Sequence, residues 1–426
     1  MIKVMTWDPG SAETLLARRD NAADVRQTVA EIIDNVRRRG DEALYEYARK
    51  FDGAELASLE VTTEEMQEAL DRTEPAFLEV LERAAENITR FHQLQKRSGF
   101  ILNDRPGVVL GQKILPVDRA GIYVPGGKAP LSSTVLMDAI PARIAGVPEV
   151  VMVTAPNRQG KIDPAILAAA HVAGVQRIFK IGGAQAIAAL AYGTESVPRV
   201  DKIVGPGGAL AAEAKRQVYG QVSIDMIAGP SEVLILSDGK SDPRHLAADM
   251  LAQAEHDAMA AAVLITDSAE LASAVAEELE RQLPALERRE IARASVENNG
   301  KIILVPDMAV GLDVANALAP EHLELSVDEP FRWLDRVRHA GSVFLGRHSP
   351  EALGDYMAGT NHTLPTGGTA RFSSPLGVDD FIKKTQFIYY SPEAMAGAAE
   401  DVDAFARKEG LTAHARSAMI RKEGSR

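Results

Sequence analysis

The chain has 426 residues, no cysteine and a net charge of −13. That length exceeds one ordinary core and predicts two or more domains, while the acidic balance argues against nucleic acid as a partner. Without a thiol, disulfides, thiolate zinc sites and cysteine nucleophiles are excluded, so a metal must sit on His, carboxylate, amide or water.

Residues 1–120 read mostly as helix. A helix start is predicted at Asp8-Pro-Gly-Ser-Ala12, and charged amphipathic runs follow to about Lys96. Met1 to Pro9 carries no basic-then-apolar signal, and no later stretch is long and uncharged enough to span a membrane, so a cytoplasmic protein is expected. From Gly121 short β-branched runs alternate with Ala-rich helical runs. Strands are predicted at 120–124, 149–154, 177–181 and 202–204. They close on Pro125-Gly-Gly127, Gly182-Gly183 and Gly205-Pro-Gly-Gly208, at the strand ends where open α/β sheets bind ligands. A second series is predicted at 232–236, 261–266, 301–305 and 342–345. Two such series predict two parallel, doubly wound sheets with a cleft between them. After about Leu376 the chain is expected to be loop-rich and then helical, with a charged tail from Arg407 to Arg426.

Chemistry-bearing residues cluster within the second series and the tail. Gln253-Ala-Glu-His-Asp257 closes a predicted helix, and residues 253 and 256 share a helix face while 255 and 257 lie off it. Glu321 and His322 are adjacent and form an acid/base pair: a carboxylate can activate water, and an imidazole can take a proton near neutral pH. Asp355 and His362 stand in a long Gly-rich polar loop, and Ser231 enters the second series within Ala228-Gly-Pro-Ser-Glu232. Glu409 and His414 lie in the tail, which by itself reads as a solvated helix. His92, His171, His245, His339 and His348 stand in ordinary helical or loop contexts. There is no Walker A loop or HExxH, and Gly205-Pro-Gly-Gly-Ala-Leu210 misses the last position of GxGxxG.

In order, GIYVPGG, IGGAQAIAALAYGT, VGPGG, AGPSE, QAEHD, PEHLE, GDYMAGTNHTLPTGGTARFSS and EGLTAH closely resemble the histidinol dehydrogenase family over roughly residues 20–420. The resemblance implies one zinc per subunit, on Gln253, His256, Asp355 and His414, and Glu321 with His322 as the catalytic acid/base pair. It implies substrate contacts from Ser231, Glu409 and His322 together with the four zinc ligands, and NAD contacts from Tyr123, Gln185 and the Gly208 position. The family usually carries Asn where this chain has Gly208, which puts that contact in doubt. The reaction implied is oxidation of L-histidinol to L-histidine through an aldehyde with two NAD; the alternative is a same-fold zinc/NAD dehydrogenase acting on another alcohol such as a sulfonated diol. Lacking cysteine, the enzyme must hydrate the aldehyde, a task suited to Glu321.

The expected architecture is two Rossmann-like doubly wound domains without a standard GxGxxG, plus helical terminal segments. An N-terminal helical segment covers 1–18, and a first α/β domain from 19–122 and 232–376 carries the metal and acid/base residues. A second over 123–231 holds the NAD contacts. The tail covers 377–426, and the resemblance implies a homodimer in which it completes the other subunit's site.

Overall fold

The computed structural model describes residues 2–11, 25–126 and 130–423. In chain order its strands are β1 (Lys3–Thr6), β2 (Phe100–Arg105), β3 (Val108–Pro116), β4 (Arg119–Val124), β5 (Glu149–Thr154), β6 (Arg177–Lys180) and β7 (Lys202–Val204). They continue with β8 (Ser223–Ile224), β9 (Glu232–Ser237), β10 (Ala261–Thr266), β11 (Lys301–Leu304), β12 (His322–Ser326), β13 (Ser342–Leu345) and β14 (Ile382–Tyr390). Every strand expected between 120 and 345 forms within a residue of its predicted ends. Such runs are buried on both faces, so their apolar character is continuous and easily read.

The chain divides into two compact units, residues 1–95 with 118–381 and residues 96–117 with 382–426. The larger unit holds two parallel sheets, ordered β6-β5-β4-β7-β8 and β1-β11-β10-β9-β12-β13. In the first, the strand order reverses between β4 and β7; in the second, between β9 and β12. Val29, Leu44 and Leu59 share one core with Val151, Phe179 and Ile187, so these N-terminal helices cover the five-stranded sheet. The sequence had grouped residues 19–122 with 232–376.

Three expectations are corrected. Lys3–Thr6 is not helical but pairs with β11 as an edge strand, and residues 12–18 of the expected N-terminal segment lie outside the described residues, as does Gly127 of the first glycine turn. Phe100–Pro116 forms a hairpin, and Ile382–Tyr390, expected as loop, is its long third strand. β14 pairs antiparallel with β3 from Ile382 opposite Pro116 to Tyr390 opposite Val108. A partner so distant in sequence leaves no local signal. Helices Pro392–Lys408 and Thr412–Glu423 complete this smaller unit.

The turn after β7 is held by a buried ion pair. Lys215 and Asp225 are in contact, with side chains 3% and 1% exposed. Lys215 Nζ donates to the Gly205 carbonyl at 2.9 Å, and Asp225 Oδ2 accepts the Gly205 N–H at 2.8 Å. Gly205 has φ +113°, and a Cβ there would lie 2.2 Å from the Tyr123 carbonyl oxygen, so no other residue fits. Lys215→Met is expected to destabilise the protein by about 3–5 kcal/mol, because it strands a buried carboxylate. Denaturant unfolding checks this, and a loss below about 1 kcal/mol would show that water reaches Asp225.

Candidate active site

The site is built at the amino ends of β9 and β12. The backbone of Glu232, the first residue of β9, orients both members of the acid/base pair. Its N–H donates to Glu321 Oε2 at 2.8 Å, and its carbonyl lies 3.0 Å from His322 Nδ1. A carbonyl only accepts, so Nδ1 carries a hydrogen and Nε2 is the nitrogen that gains or loses the titrating proton. Nε2 is buried, has no hydrogen-bond partner among the described residues, and stands 3.7 Å from Asp355 Oδ1.

Carboxylates crowd this imidazole. Glu321 Oε2 and Glu351 Oε1 lie 3.8 and 3.9 Å from Nδ1. Burial alone would pull His322 down, but Glu351, Glu321 and Asp355 outweigh it and hold its pKa well above the ordinary imidazole range. Burial pushes Glu321 up to about 7 and Glu351 up to about 8. Burial works against ionised Asp355 too, yet His322, His362 and His256 hold it below the usual carboxylate range. For His256, burial wins and lowers the pKa.

Gln253 sits in the last turn of helix Pro243–Ala254 and is fully buried, with Oε1 lacking any partner among the described residues. His256 lies two residues past that helix, where its N–H donates to the Gln253 carbonyl at 3.2 Å. A tightened final turn, rather than a regular helix face, therefore carries the 253/256 pair. Asp257 accepts the Met259 N–H at 2.8 Å and serves its own turn.

One atom each from His256, Glu351 and Asp355 falls within 4.8 Å of the others. Glu351 and Asp355 are four apart on the short helix Glu351–Tyr356, so both point the same way. Glu351 escaped the sequence reading, although its spacing to Asp355 was a usable signal. Imidazole and two carboxylates form a nitrogen and oxygen donor set that suits zinc or a similar divalent ion, and the Gln253 amide oxygen is a further buried acceptor without a partner among the described residues. The carboxyl-terminal end of helix Pro243–Ala254 adds a partial negative charge that favours a cation.

The remaining expected positions are dispersed. Ser231 is half-buried, and its carbonyl accepts the Ala261 N–H at 3.0 Å. His362 Nε2 is 3.3 Å from Thr134 Oγ1, and Asn361 Nδ2 donates to the Met137 carbonyl at 2.7 Å. These bonds tie the loop after Asp355 to helix Ser132–Ala145, which follows β4. Tyr123 is the penultimate residue of β4, near the order reversal of its sheet, and its hydroxyl accepts the Gly183 N–H at 3.1 Å. Gln185 is buried in the helix that Gly183 begins, and Gly208 caps helix Ala209–Val218 with open space where a Cβ would stand. Glu409 and His414 lie in the smaller unit, both exposed, on either side of the Gly410 turn. No helix among the described residues is long and apolar enough to cross a membrane.

The histidinol dehydrogenase family model matches residues 16–422. A histidinol dehydrogenase from Syntrophotalea carbinolica is 52% identical over 432 aligned positions, covering 100% of both chains. One from Bacillus cereus is 53% identical over 95% of each. The crystal structure of histidinol dehydrogenase from Elizabethkingia anophelis superposes with a TM-score of 0.94 at 36% identity, covering 99% of this chain and 98% of that one.

Proposed function

Because the chain belongs to the histidinol dehydrogenase family, we propose that the constellation at 253–256, 321–322 and 351–355 oxidises L-histidinol to L-histidine, with NAD as electron acceptor and zinc as the bound metal. The observation that carries this reading is the arrangement of Glu321 and His322, both held by one backbone position, with His322 3.7 and 3.9 Å from two carboxylates of the metal-type cluster.

Gln253, His256 and Asp355 would hold the metal, with Glu351 beside them. When bound, zinc supplies a positive anchor for substrate nitrogen and oxygen, and NAD supplies the hydride acceptor. In its neutral form His322 accepts at Nε2 the hydroxyl proton of the alcohol as the carbon–hydrogen bond breaks, and the carboxylates around the ring stabilise the imidazolium so formed. Glu321, with a pKa about 7, is part carboxylate at neutral pH and takes the proton of the water that adds to the aldehyde. His322, having released its first proton to solvent, then deprotonates the resulting hydrate for the second oxidation, whose hydride goes to a second NAD. The decisive measurement is NADH formed per histidinol, with metal stripped by chelator and zinc restored. Two NADH per substrate, lost and regained with zinc, supports the reading; turnover of a sulfonated diol in place of histidinol would overturn it.

NAD is assigned to the carboxyl end of the five-stranded sheet, at the β4/β7 reversal, with Tyr123, Gln185 and Gly208 as contacts. The amino-terminal end of helix Ala209–Val218 suits a pyrophosphate. Since a side chain at Gly208 would meet nothing within 4 Å, Gly208→Asn is expected to be accommodated without strain and to tighten NADH binding several-fold. Fluorescence titration checks it, and an unchanged Kd would make the Gly208 departure neutral.

We assign His414 and Glu409 to the partner's site in a homodimer. Support comes from the smaller unit, where Ile101, Ile388 and Phe405 are each about 70% exposed as a single chain. Glu321→Gln and His414→Ala proteins, each inactive alone, should regain roughly a quarter of wild-type activity after mixed refolding, because half the dimers are mixed and each carries one intact site. No regained activity would place both residues in one subunit's site.

A further inference from the structure

Asp52 is a half-buried carboxylate that the reaction described above does not use. It ends the turn Ala48–Asp52, just before Gly53. Its Oδ2 is buried and has no hydrogen-bond partner among the described residues. Burial without compensating donors pushes its pKa up to about 6.

Its place in the fold is fixed by the chain that follows. The Lys180 N–H donates to the Leu59 carbonyl at 2.7 Å, and the Val61 N–H donates to the Ile178 carbonyl at 2.8 Å. Residues 59–61 thus run antiparallel along β6, and the chain before Leu59 lies beyond the carboxyl end of that strand. Residues 53–56 cover the loop after β5: a Cβ at Gly53 would stand 3.8 Å from Arg158 Cγ, and one at Gly160 would stand 3.0 Å from Leu56 Cδ2. Asp52 also acts electrostatically on Tyr123, at the end of β4. Asp52 therefore sits over the ends of β4, β5 and β6, on the same sheet edge as the glycine turns. The hydroxyl of Thr154, the last residue of β5, is a second buried polar group there without a partner among the described residues.

In dinucleotide-binding sheets, an acidic residue near the end of the second strand accepts the hydroxyls of the adenosine ribose. β5 is the second strand of this sheet, and it runs out into Thr154-Ala155-Pro156-Asn157 without an acid. The nicotinamide end must approach His322, and the loop that follows helix Glu351–Tyr356 contacts helix Ser132–Ala145 through His362 and Thr134. That leaves the β5 and β6 side for the adenosine end. We propose that Asp52, supplied by the N-terminal helical region, accepts the adenosine ribose hydroxyls of NAD and repels the 2′-phosphate of NADP, making it the residue that selects the cofactor. The inference rests on the NAD reading given above. A half-buried carboxylate short of donors is matched by a hydroxyl pair and opposed by a phosphate.

The test is direct binding of NADH and NADPH to the full zinc-loaded protein, read by nucleotide fluorescence. Wild type is expected to bind NADH, and NADPH at least about a hundredfold more weakly. Asp52→Asn should weaken NADH about tenfold and reduce the discrimination to less than about tenfold, with melting temperature and zinc content unchanged. Asp52→Ser, which removes the carboxylate by a different route, should lose discrimination in the same way, and Asp52→Glu should keep it. Wild-type affinities and discrimination in both Asp52→Asn and Asp52→Ser would overturn the assignment of Asp52. Failure of the wild type to bind NADH at all would instead overturn the NAD reading beneath it.

Discussion

His322→Asn is expected to lower kcat by about 10²–10⁴-fold, the range for loss of a positioned general base. Asparagine can keep a donor near the Glu232 carbonyl, the bond that now orients His322 Nδ1 at 3.0 Å, but it offers nothing in place of Nε2. Zinc content should therefore survive while proton transfer fails, and both half-reactions should slow together. Glu321→Gln should behave differently. It keeps the shape of the carboxyl but cannot take a proton from water, so oxidation of supplied histidinal should fall much further than oxidation of histidinol to the aldehyde. The pH profile separates them further. Glu321 is ionised in growing proportion as pH rises through about 7, so the aldehyde step of the wild type should rise across that interval. Glu321→Gln should lack that limb. Equal histidinal oxidation by Glu321→Gln and wild type would sink its role as the base for water, and wild-type kcat in His322→Asn would sink the role of Nε2.

Asp355→Asn should weaken metal binding by at least about a hundredfold, measured by equilibrium dialysis against zinc, with activity following metal content. Three histidines hold Asp355 ionised against the burial that disfavours it, so the site already stabilises the charge a cation needs. His256→Ala should lose metal comparably. Glu351 discriminates between two arrangements. It lies with His256 and Asp355 in the candidate cluster, yet the resemblance that named Gln253, His256, Asp355 and His414 did not include it. If Glu351 only supports the site, Glu351→Gln should cost about 10–100-fold in zinc affinity, the range for partners around metal ligands. A loss equal to that of Asp355→Asn would make Glu351 a ligand. Retained zinc in both Asp355→Asn and His256→Ala would overturn the metal centre.

In the reading proposed here the two sheets use opposite edges. Amino ends of parallel strands meet the carboxyl ends of helices, whose partial negative charge suits a cation. Carboxyl ends meet helix amino termini, whose partial positive charge suits phosphates. Ligands are expected from the sequence at the glycine-lined carboxyl ends, and the NAD contacts proposed above lie on that edge of the five-stranded sheet. The six-stranded sheet departs from it: Glu232, Glu321 and His322 stand at strand beginnings, and helix Pro243–Ala254 returns Gln253 to the same edge.

Sequence by itself determined what depends on neighbours along the chain. The runs at 149–154, 202–204 and 261–266 are strands because they are continuously apolar, and the adjacency of Glu321 and His322 is covalent. The absence of a thiol likewise excluded a cysteine-bound intermediate. Tertiary structure decided what depends on atoms far apart in sequence. β14 exists because β3 pairs with it, and His322 titrates at Nε2 because a carbonyl 90 residues away takes the Nδ1 hydrogen. The residues of the candidate cation cluster met only when the helix beginning at Glu351 was laid against the turn ending at His256. Apolar periodicity is a local property of the chain, whereas hydrogen-bond partners and buried charge neighbours are set by packing, which no short window of residues contains.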